Sequence, residues 1–107
     1  MKEIKGFEHY SIDRNGNIWN NKFSKPRLLS PYKVALGYME VQLWKDNKRY
    51  RHRVHRLLAE AYIDNKENFS LVRHLNDVKD DNRLENLAWG NHSMNSQDYY
   101  RNKRRTK

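Results

Sequence analysis

The first half of the chain shows short stretches in which apolar and polar residues alternate. In residues 38–44 the methionine, valine and leucine fall on one face of an extended chain, which predicts a strand with that face in the core. Further strands are predicted, beside turn signals, at residues 7–12, 18–19 and 50–54. Both prolines fall within residues 22–33, which are predicted to be a loop with an edge segment. Residues 1–53 are therefore expected to form a small antiparallel sheet.

The second half shows a helical pattern followed by two short strand signals. Apolar residues recur at helical spacing in residues 54–63, which predicts an amphipathic helix. Residues 71–75 and 87–90 read as strands on either side of a polar loop. The segment after Asn91 has no proline or glycine, and Asn91 is a good helix cap, so a final helix is predicted. The expected fold class is α+β, with a small N-terminal antiparallel sheet and a helix that lead into a strand–loop–strand–helix unit.

The net charge and its distribution indicate which class of partner the protein binds. The 107 residues carry 22 lysines and arginines against 13 aspartates and glutamates, a net charge of +9. The excess is concentrated in residues 45–56 and 101–107, as is typical of a protein that binds a polyanion. An anionic membrane surface would suit residues 101–107 equally well, but no strongly amphipathic helix with a wide apolar face is present. Nucleic acid is therefore the favoured partner, and a membrane is not expected.

Length and cysteine content limit the class of protein. A chain of 107 residues is expected to form one compact unit. Cysteine is absent, which excludes disulfides and thiolate zinc sites. No apolar run approaches the length of a membrane span, and the N-terminal residues lack the apolar core of a signal peptide. A cytoplasmic protein is expected.

Residues 71–95 concentrate the side chains that could carry chemistry. The segment reads LVRHLNDVKDDNRLENLAWGNHSMN, with His74 on a predicted strand, Asn86 before the next strand and Asn95 in the final helix. Together with VHRLLAEAYI upstream, this pattern resembles the HNH endonuclease family, whose core is the ββα-metal (His-Me) finger. The residues from 4 onwards that precede this core resemble the NUMOD-like module found before HNH cores in phage and intron homing endonucleases. The resemblance implies a DNA-contacting β module at 1–53 and a nuclease core with a basic tail at 54–107.

The resemblance also implies an activity, a divalent-metal-dependent DNA endonuclease that leaves 5′-phosphate and 3′-hydroxyl ends. His74 would be the general base, because the unperturbed pKa of imidazole lies near working pH. Asn86 would hold the His74 ring or its backbone, and Asn95 would bind one Mg²⁺ or Mn²⁺ per active site through a hard oxygen ligand. The expected partner is double-stranded DNA, bound by a monomer or a homodimer in the cytoplasm of a phage-infected or bacterial cell.

The basic residues are expected to follow the phosphate backbone rather than read bases. The candidate DNA contacts lie in the two basic segments and are Lys45, Lys48, Arg49, Arg51, Arg53, Arg101, Lys103, Arg104 and Arg105.

Two positions depart from the family pattern. Arg73 directly precedes the histidine, where many members have a metal-binding aspartate, and an arginine repels a cation. The loop reads His-Leu-Asn-Asp where His-x-Asp-Gly is usual. Asp77, Asp80 or His92 could supply another ligand, or Arg73 could instead clamp a phosphate, and the spacing leaves these alternatives open.

Other functions fit the same sequence. The main alternative is a catalytically degenerate HNH-fold DNA-binding protein, and it rests on Arg73. A weaker third hypothesis is a phage inhibitor that binds RNA or protein, which only size and charge suggest. His55 is predicted to be buried and structural, and the three tryptophans are predicted to anchor the core.

Overall fold

The structure is a computed structural model that describes residues 1–105, without the side chains of residues 104 and 105. The DNA contacts predicted for Arg104 and Arg105 therefore lie outside the described side chains. The regular elements within residues 1–105 are β1 (Lys2–Ile4), β2 (Phe7–Ile12), β3 (Ile18–Asn20), β4 (Arg27–Leu28), β5 (Tyr32–Lys33), β6 (Met39–Lys45), β7 (Lys48–Arg53), α1 (Val54–Tyr62), β8 (Leu71–His74), β9 (Leu87–Gly90) and α2 (His92–Arg105), with 3-10 turns at Ala35–Gly37 and Leu84–Asn86.

The strands form three antiparallel sheets. Their strand orders are β1-β2-β3-β4, β5-β6-β7 and β8-β9. The prediction of one sheet over residues 1–53 is therefore wrong, because this part of the chain builds two. The break follows β4, where Pro31 has no amide hydrogen to donate to a continuous ladder and the chain passes into the second sheet at β5.

Local residue chemistry closes the hairpins. Gly16 adopts φ 85° in the β2–β3 turn, and the Asp13 carboxylate accepts hydrogen bonds from the backbone amides of Asn15 and Asn17, both at 2.9 Å. Asp46 and Asn47 have φ of 51° and 63° between β6 and β7. Positive φ at both central residues is what a type I′ hairpin turn requires, so this turn sets the β6–β7 register.

Helix α1 packs against strands of all three sheets. Its buried face carries Val54, Leu57 and Leu58, which join apolar residues of β1, β2, β3, β6 and β9 in one hydrophobic core. One core therefore connects the N-terminal sheets to the β8–β9 pair. Burial of this kind, which scales with the apolar area removed from water, is the main stabilising contribution.

The observed elements confirm the predicted fold class, α+β with antiparallel sheets. The final helix begins as predicted, because the Asn91 side chain accepts a hydrogen bond from the Met94 amide at 2.9 Å. The tryptophan prediction is wrong for Trp44, which is 55% exposed because it lies on the outward face of β6. The division into modules at residue 53 coincides with the start of α1, and its functional meaning stays a prediction. Neither helix within residues 1–105 is long and apolar enough to cross a membrane.

Leu58→Ala should lower the free energy of unfolding by about 2–5 kcal/mol, because Leu58 is fully buried where α1 meets the β2–β3 turn at Gly16. Urea denaturation measures the change. Leu28→Ala is the matched control, since Leu28 is 55% exposed and its loss should have little effect. Equal effects of the two substitutions would show that α1 does not anchor the core.

Candidate active site

His74 lies at the last position of β8 and is only 2% exposed. Its Nε2 lies 2.7 Å from the Oδ1 atom of Asn82. An amide oxygen can only accept, so Nε2 carries the hydrogen in this contact and Nδ1 keeps a lone pair. Asn82 therefore selects the tautomer of the imidazole that a general base at Nδ1 needs. Asn82 was not among the predicted site residues, because it stands in a run of polar loop residues without a distinguishing pattern.

The His74 ring also lies in an aromatic cluster. Its centroid is 4.7 Å from that of His55 and 5.9 Å from that of Tyr38, and the Tyr38 and His55 rings stack at 5.2 Å. Burial lowers the pKa of His74 below its usual value, although the hydrogen bond to Asn82 acts in the opposite direction and the Lys79 charge lowers it further. The ring is therefore neutral, and able to accept a proton, at neutral pH.

His55 is buried on α1, in line with its predicted structural place, and its Nδ1 has no hydrogen-bond partner among the described residues. Burial lowers the pKa of His55 to about 3, and the charges of His74 and Arg53 add to the effect. His55 is therefore a neutral, ring-shaped packing partner for His74.

Asn86 holds the loop and the backbone rather than the His74 ring. Its Nδ2 donates to Oδ1 of Asn76 at 2.9 Å and to the Asp81 carbonyl at 2.8 Å, and its Oδ1 accepts from the Asn76 amide at 3.0 Å. Its own carbonyl accepts from the Leu75 amide at 2.8 Å, directly after His74. Asn86 is 5% exposed, so these bonds are shielded from water.

The loop after His74 keeps a left-handed residue without a glycine. Asp77, which stands where the family pattern has glycine, adopts φ 61°. Aspartate tolerates this conformation better than most residues, because its short side chain can bond locally. The Asp77 carboxylate accepts a hydrogen bond from Nζ of Lys79 at 2.6 Å.

The other proposed accessory ligands are dispersed. Asp80 pairs with Lys33 at 3.0 Å, and His92 is an exposed residue at the start of α2. Within the described part of the chain, no three histidine, cysteine, aspartate or glutamate side chains converge on a possible metal position.

Arg73 forms an ion pair inside the protein. Its Nη1 lies 3.0 Å and 3.2 Å from the two carboxylate oxygens of Asp98, a residue of α2 that is 1% exposed. Arg101 donates to the same carboxylate at 3.0 Å. The Arg73 guanidinium is thus held by a buried carboxylate, and a phosphate would have to compete with that pairing.

Asn95 is half-buried on α2, which packs against β8. Its side-chain amide has no hydrogen-bond partner among the described residues. One amide oxygen suits a hard cation such as Mg²⁺, and Mg²⁺ commonly keeps waters and substrate phosphate oxygens as its other ligands. The residues present therefore fit a cation that the substrate helps to hold, and they do not form a complete protein cage.

The predicted DNA contacts in the β6–β7 hairpin are exposed. Arg49, Arg51 and Arg53 alternate along β7 on the face that carries Trp44, and Lys45 and Lys48 pair across the hairpin end. The Arg53 guanidinium lies 4.2 Å from the Tyr38 ring centroid, so the row of arginines ends beside the His74 cluster.

The predicted contacts on α2 are placed differently. Arg101 is half-exposed, but its guanidinium is already bonded to Asp98 and to the Leu75 carbonyl. Lys103 is exposed, and its Nζ lies 5.9 Å from the Tyr99 ring centroid.

Several known proteins are similar to this chain in sequence and in fold. No family model matches the chain. The chain is 35% identical over 95 residues to the uncharacterized HNH endonuclease L245 of Acanthamoeba polyphaga mimivirus, covering 89% of this chain and 28% of that protein. It is 33% identical over 95 residues to DNA endonuclease I-HmuI of Bacillus phage SP01, covering 88% of this chain and 53% of that protein. The chain thus spans between about a quarter and about half of these relatives.

The fold comparison agrees with the sequence comparison. A solved structure described as DNA binding and cleavage by the HNH homing endonuclease I-HmuI aligns with a TM-score of 0.80 and 29% identity, covering 92% of this chain and 56% of that one. The chain is a homologue of HNH endonucleases over 88% to 92% of its length. The more specific likeness of the N-terminal part to a NUMOD-like module stays a prediction. The roles that the resemblance assigns to His74, Asn86 and Asn95 stay predictions.

Asn82→Ala should lower the pKa of His74 further, because it removes the hydrogen bond that favours the protonated ring. A titration of the imidazole resonances by NMR measures this, with a wild-type pKa below 6.5 and a lower one in the variant. Asn15→Ala, whose side chain lies in the exposed β2–β3 turn, is the control. An unchanged pKa in Asn82→Ala would mean that the contact does not orient the ring.

Acid should destabilise the fold through His55. Its folded pKa of about 3 lies below the unfolded value of 6.5, so the folded state binds fewer protons and stability is lost as pH falls below 6.5. The loss between pH 7 and pH 5 is about 2 kcal/mol from this residue.

Urea denaturation at pH 7 and pH 5 tests this dependence on pH. The loss should shrink in His55→Phe and remain in His9→Phe, because the His9 side chain is 54% exposed. Equal losses in both variants would contradict the assignment to His55.

Proposed function

We propose that this HNH domain hydrolyses a phosphodiester bond of double-stranded DNA in a reaction that requires a divalent metal, with His74 as the general base. The observation that carries the proposal is the His74–Asn82 hydrogen bond of 2.7 Å, which leaves Nδ1 of a neutral imidazole free to accept a proton. Its relative I-HmuI is described as binding and cleaving DNA, which supports the same substrate class here.

Each side chain around His74 has a separate role in the proposed reaction. Nδ1 takes a proton from the water that attacks the scissile phosphate, and the lowered pKa keeps the ring unprotonated and ready at neutral pH. Asn82 keeps the ring in the required tautomer, while Asn86 fixes the backbone after it. The bond between phosphorus and the 3′ oxygen breaks, and the leaving oxygen takes a proton from water, which gives 5′-phosphate and 3′-hydroxyl ends.

Asn95 would contribute the protein ligand to one Mg²⁺ or Mn²⁺ per site. When bound, such a cation stabilises the negative charge that develops on the leaving oxygen. Because Asn95 offers one neutral oxygen, the phosphate itself and water would complete the coordination. Weak cation binding without DNA follows from that donor set.

The arginines of β7 would position the DNA. Alternate residues on a strand are about 7 Å apart, which is comparable with the separation of successive phosphates along one backbone. Arg49, Arg51 and Arg53 could therefore each meet a phosphate, with Arg53 closest to the His74 cluster. One copy of the chain has one such site, so a monomer would nick one strand and a homodimer would cut both. The reaction would take place in the cytoplasm.

A second candidate function is DNA binding without hydrolysis. The observation that favours it is the Arg73–Asp98 ion pair, which puts a guanidinium where many relatives have a metal-binding carboxylate. Such a protein would bind DNA through the arginines of β7 with strong salt dependence and would not need a metal.

Nicking of supercoiled plasmid in Mn²⁺ or Mg²⁺ separates the two functions. His74→Ala should slow nicking by about a hundredfold or more, because it removes the base, and Asn95→Ala should raise the metal concentration needed. His9→Ala, which alters an exposed histidine, should leave the rate unchanged. Nicking that survives His74→Ala would refute the base assignment, whereas salt-sensitive binding without nicking in either metal would favour the second function.

A further inference from the structure

Asp98 is an unusual residue for its helix. Helix α2 is polar throughout, and most of its described residues are exposed or half-buried, yet Asp98 is 1% exposed. It is the one buried carboxylate among the described residues. A buried carboxylate is costly unless it is paired and hydrogen-bonded, and Arg73 and Arg101 provide both kinds of partner.

Helix α2 is tied to the chain on both sides of His74. Before the histidine, Arg73 pairs with Asp98. After it, the Leu75 carbonyl accepts hydrogen bonds from Nη2 of Arg101 at 2.9 Å and from Nδ2 of Asn102 at 2.8 Å. Arg101 therefore joins the two attachments, since its guanidinium contacts both Asp98 and the Leu75 carbonyl.

The path of the Arg73 side chain depends on Gly90 at the end of β9. A Cβ atom at position 90 would lie 2.6 Å from both Cδ and Nε of Arg73, and 3.1 Å from the Met94 sulfur. The arginine therefore reaches Asp98 across the bare backbone of a glycine. Any side chain at position 90 would have to displace it.

We propose that Asp98 is a positioning residue of the nuclease site, which with Arg73 and Arg101 fixes α2 against the strand that carries His74. Asn95 lies three residues before Asp98 on the same helix, so the ion pair sets where the Asn95 amide stands relative to the His74 ring. The attachment is made of protein charges alone, so it orders the helix before any cation or DNA arrives. The inference rests on the proposed nuclease function.

If Asp98 positions the site, its substitution should reduce the turnover rate without weakening DNA binding. The β7 arginines that would hold the DNA are on another sheet, and Asp98 does not contact them. Asp98→Asn should therefore reduce kcat for nicking by about tenfold or more, because small displacements of reacting groups have large effects on rate. The dissociation constant for DNA, measured in EDTA, should not rise, because the substitution removes a negative charge and frees Arg101, itself a predicted DNA contact.

The test compares Asp98→Asn with Asp64→Asn, the same chemical change at an exposed aspartate after α1. Both are assayed at a temperature where circular dichroism shows full folding. Arg73→Lys, which keeps the charge, should retain more kcat than Arg73→Met, which loses it. A kcat within twofold of that of Asp64→Asn in folded protein would overturn the proposal, as would a loss that only follows the unfolded fraction.

Gly90→Ala tests the same attachment without removing a charge, and it decides the matter if Asp98→Asn fails to fold. It should lower kcat in the wild-type background and have much less effect in Arg73→Ala, where the arginine side chain no longer crosses position 90. Equal effects in both backgrounds would contradict the proposed coupling.

A measurement that does not depend on DNA cleavage tests the positioning role separately from the proposed nuclease function. In Asp98→Asn, the NMR resonances of the His74 ring and of the Asn95 side-chain amide should both shift, and in Asp64→Asn neither should. Plasmid nicking by the wild type tests the proposed function itself. Unmoved His74 and Asn95 resonances in Asp98→Asn would refute the positioning role whether or not the wild type cuts.

Discussion

The structure depends on how an imidazole is kept inside the protein. A histidine that is 2% exposed loses its hydration and has to find polar partners within the fold. The segment between β8 and β9 supplies them, with Asn82 for the ring and Asn86 for the peptide that follows. This loop carries many polar side chains, and its amides and carboxylates form hydrogen bonds with one another around the buried His74 ring.

The N-terminal sheets and α1 contribute to the site from the other side. Helix α1 buries Leu57 and Leu58 in the common core, and the same helix presents His55 to the His74 ring. Tyr38, directly before β6, stacks on His55 and lies under Arg53. The aromatic cluster thus connects the hydrophobic core, the exposed arginines of β7 and the candidate base through neighbouring side chains.

Elements with a periodic pattern of apolar residues, and residues at a characteristic spacing, could be predicted from the sequence. The alternation of β6, the helical spacing of α1 and the cap at Asn91 predicted elements that are present, and the family pattern pointed to His74, Asn86 and Asn95. Asn82 and Asp98 were not found, because a loop asparagine and an aspartate in a polar helix look solvated until the fold brings their partners near. The division into two N-terminal sheets was missed because each strand at the break, β4 and β5, has only two residues.

Because Arg73 crosses Gly90 to reach Asp98, these three positions constrain one another's mutations. Replacing Arg73 with aspartate in one step would place a second carboxylate beside Asp98, which is buried and would keep only Arg101 as its partner. Asp98 would have to be neutralised first, and that change alone leaves the Arg73 guanidinium unpaired. Each single substitution is therefore unfavourable although the combination need not be. Arg73 and Asp98 therefore form an epistatic pair, and a side chain at position 90 becomes acceptable only after the arginine has gone.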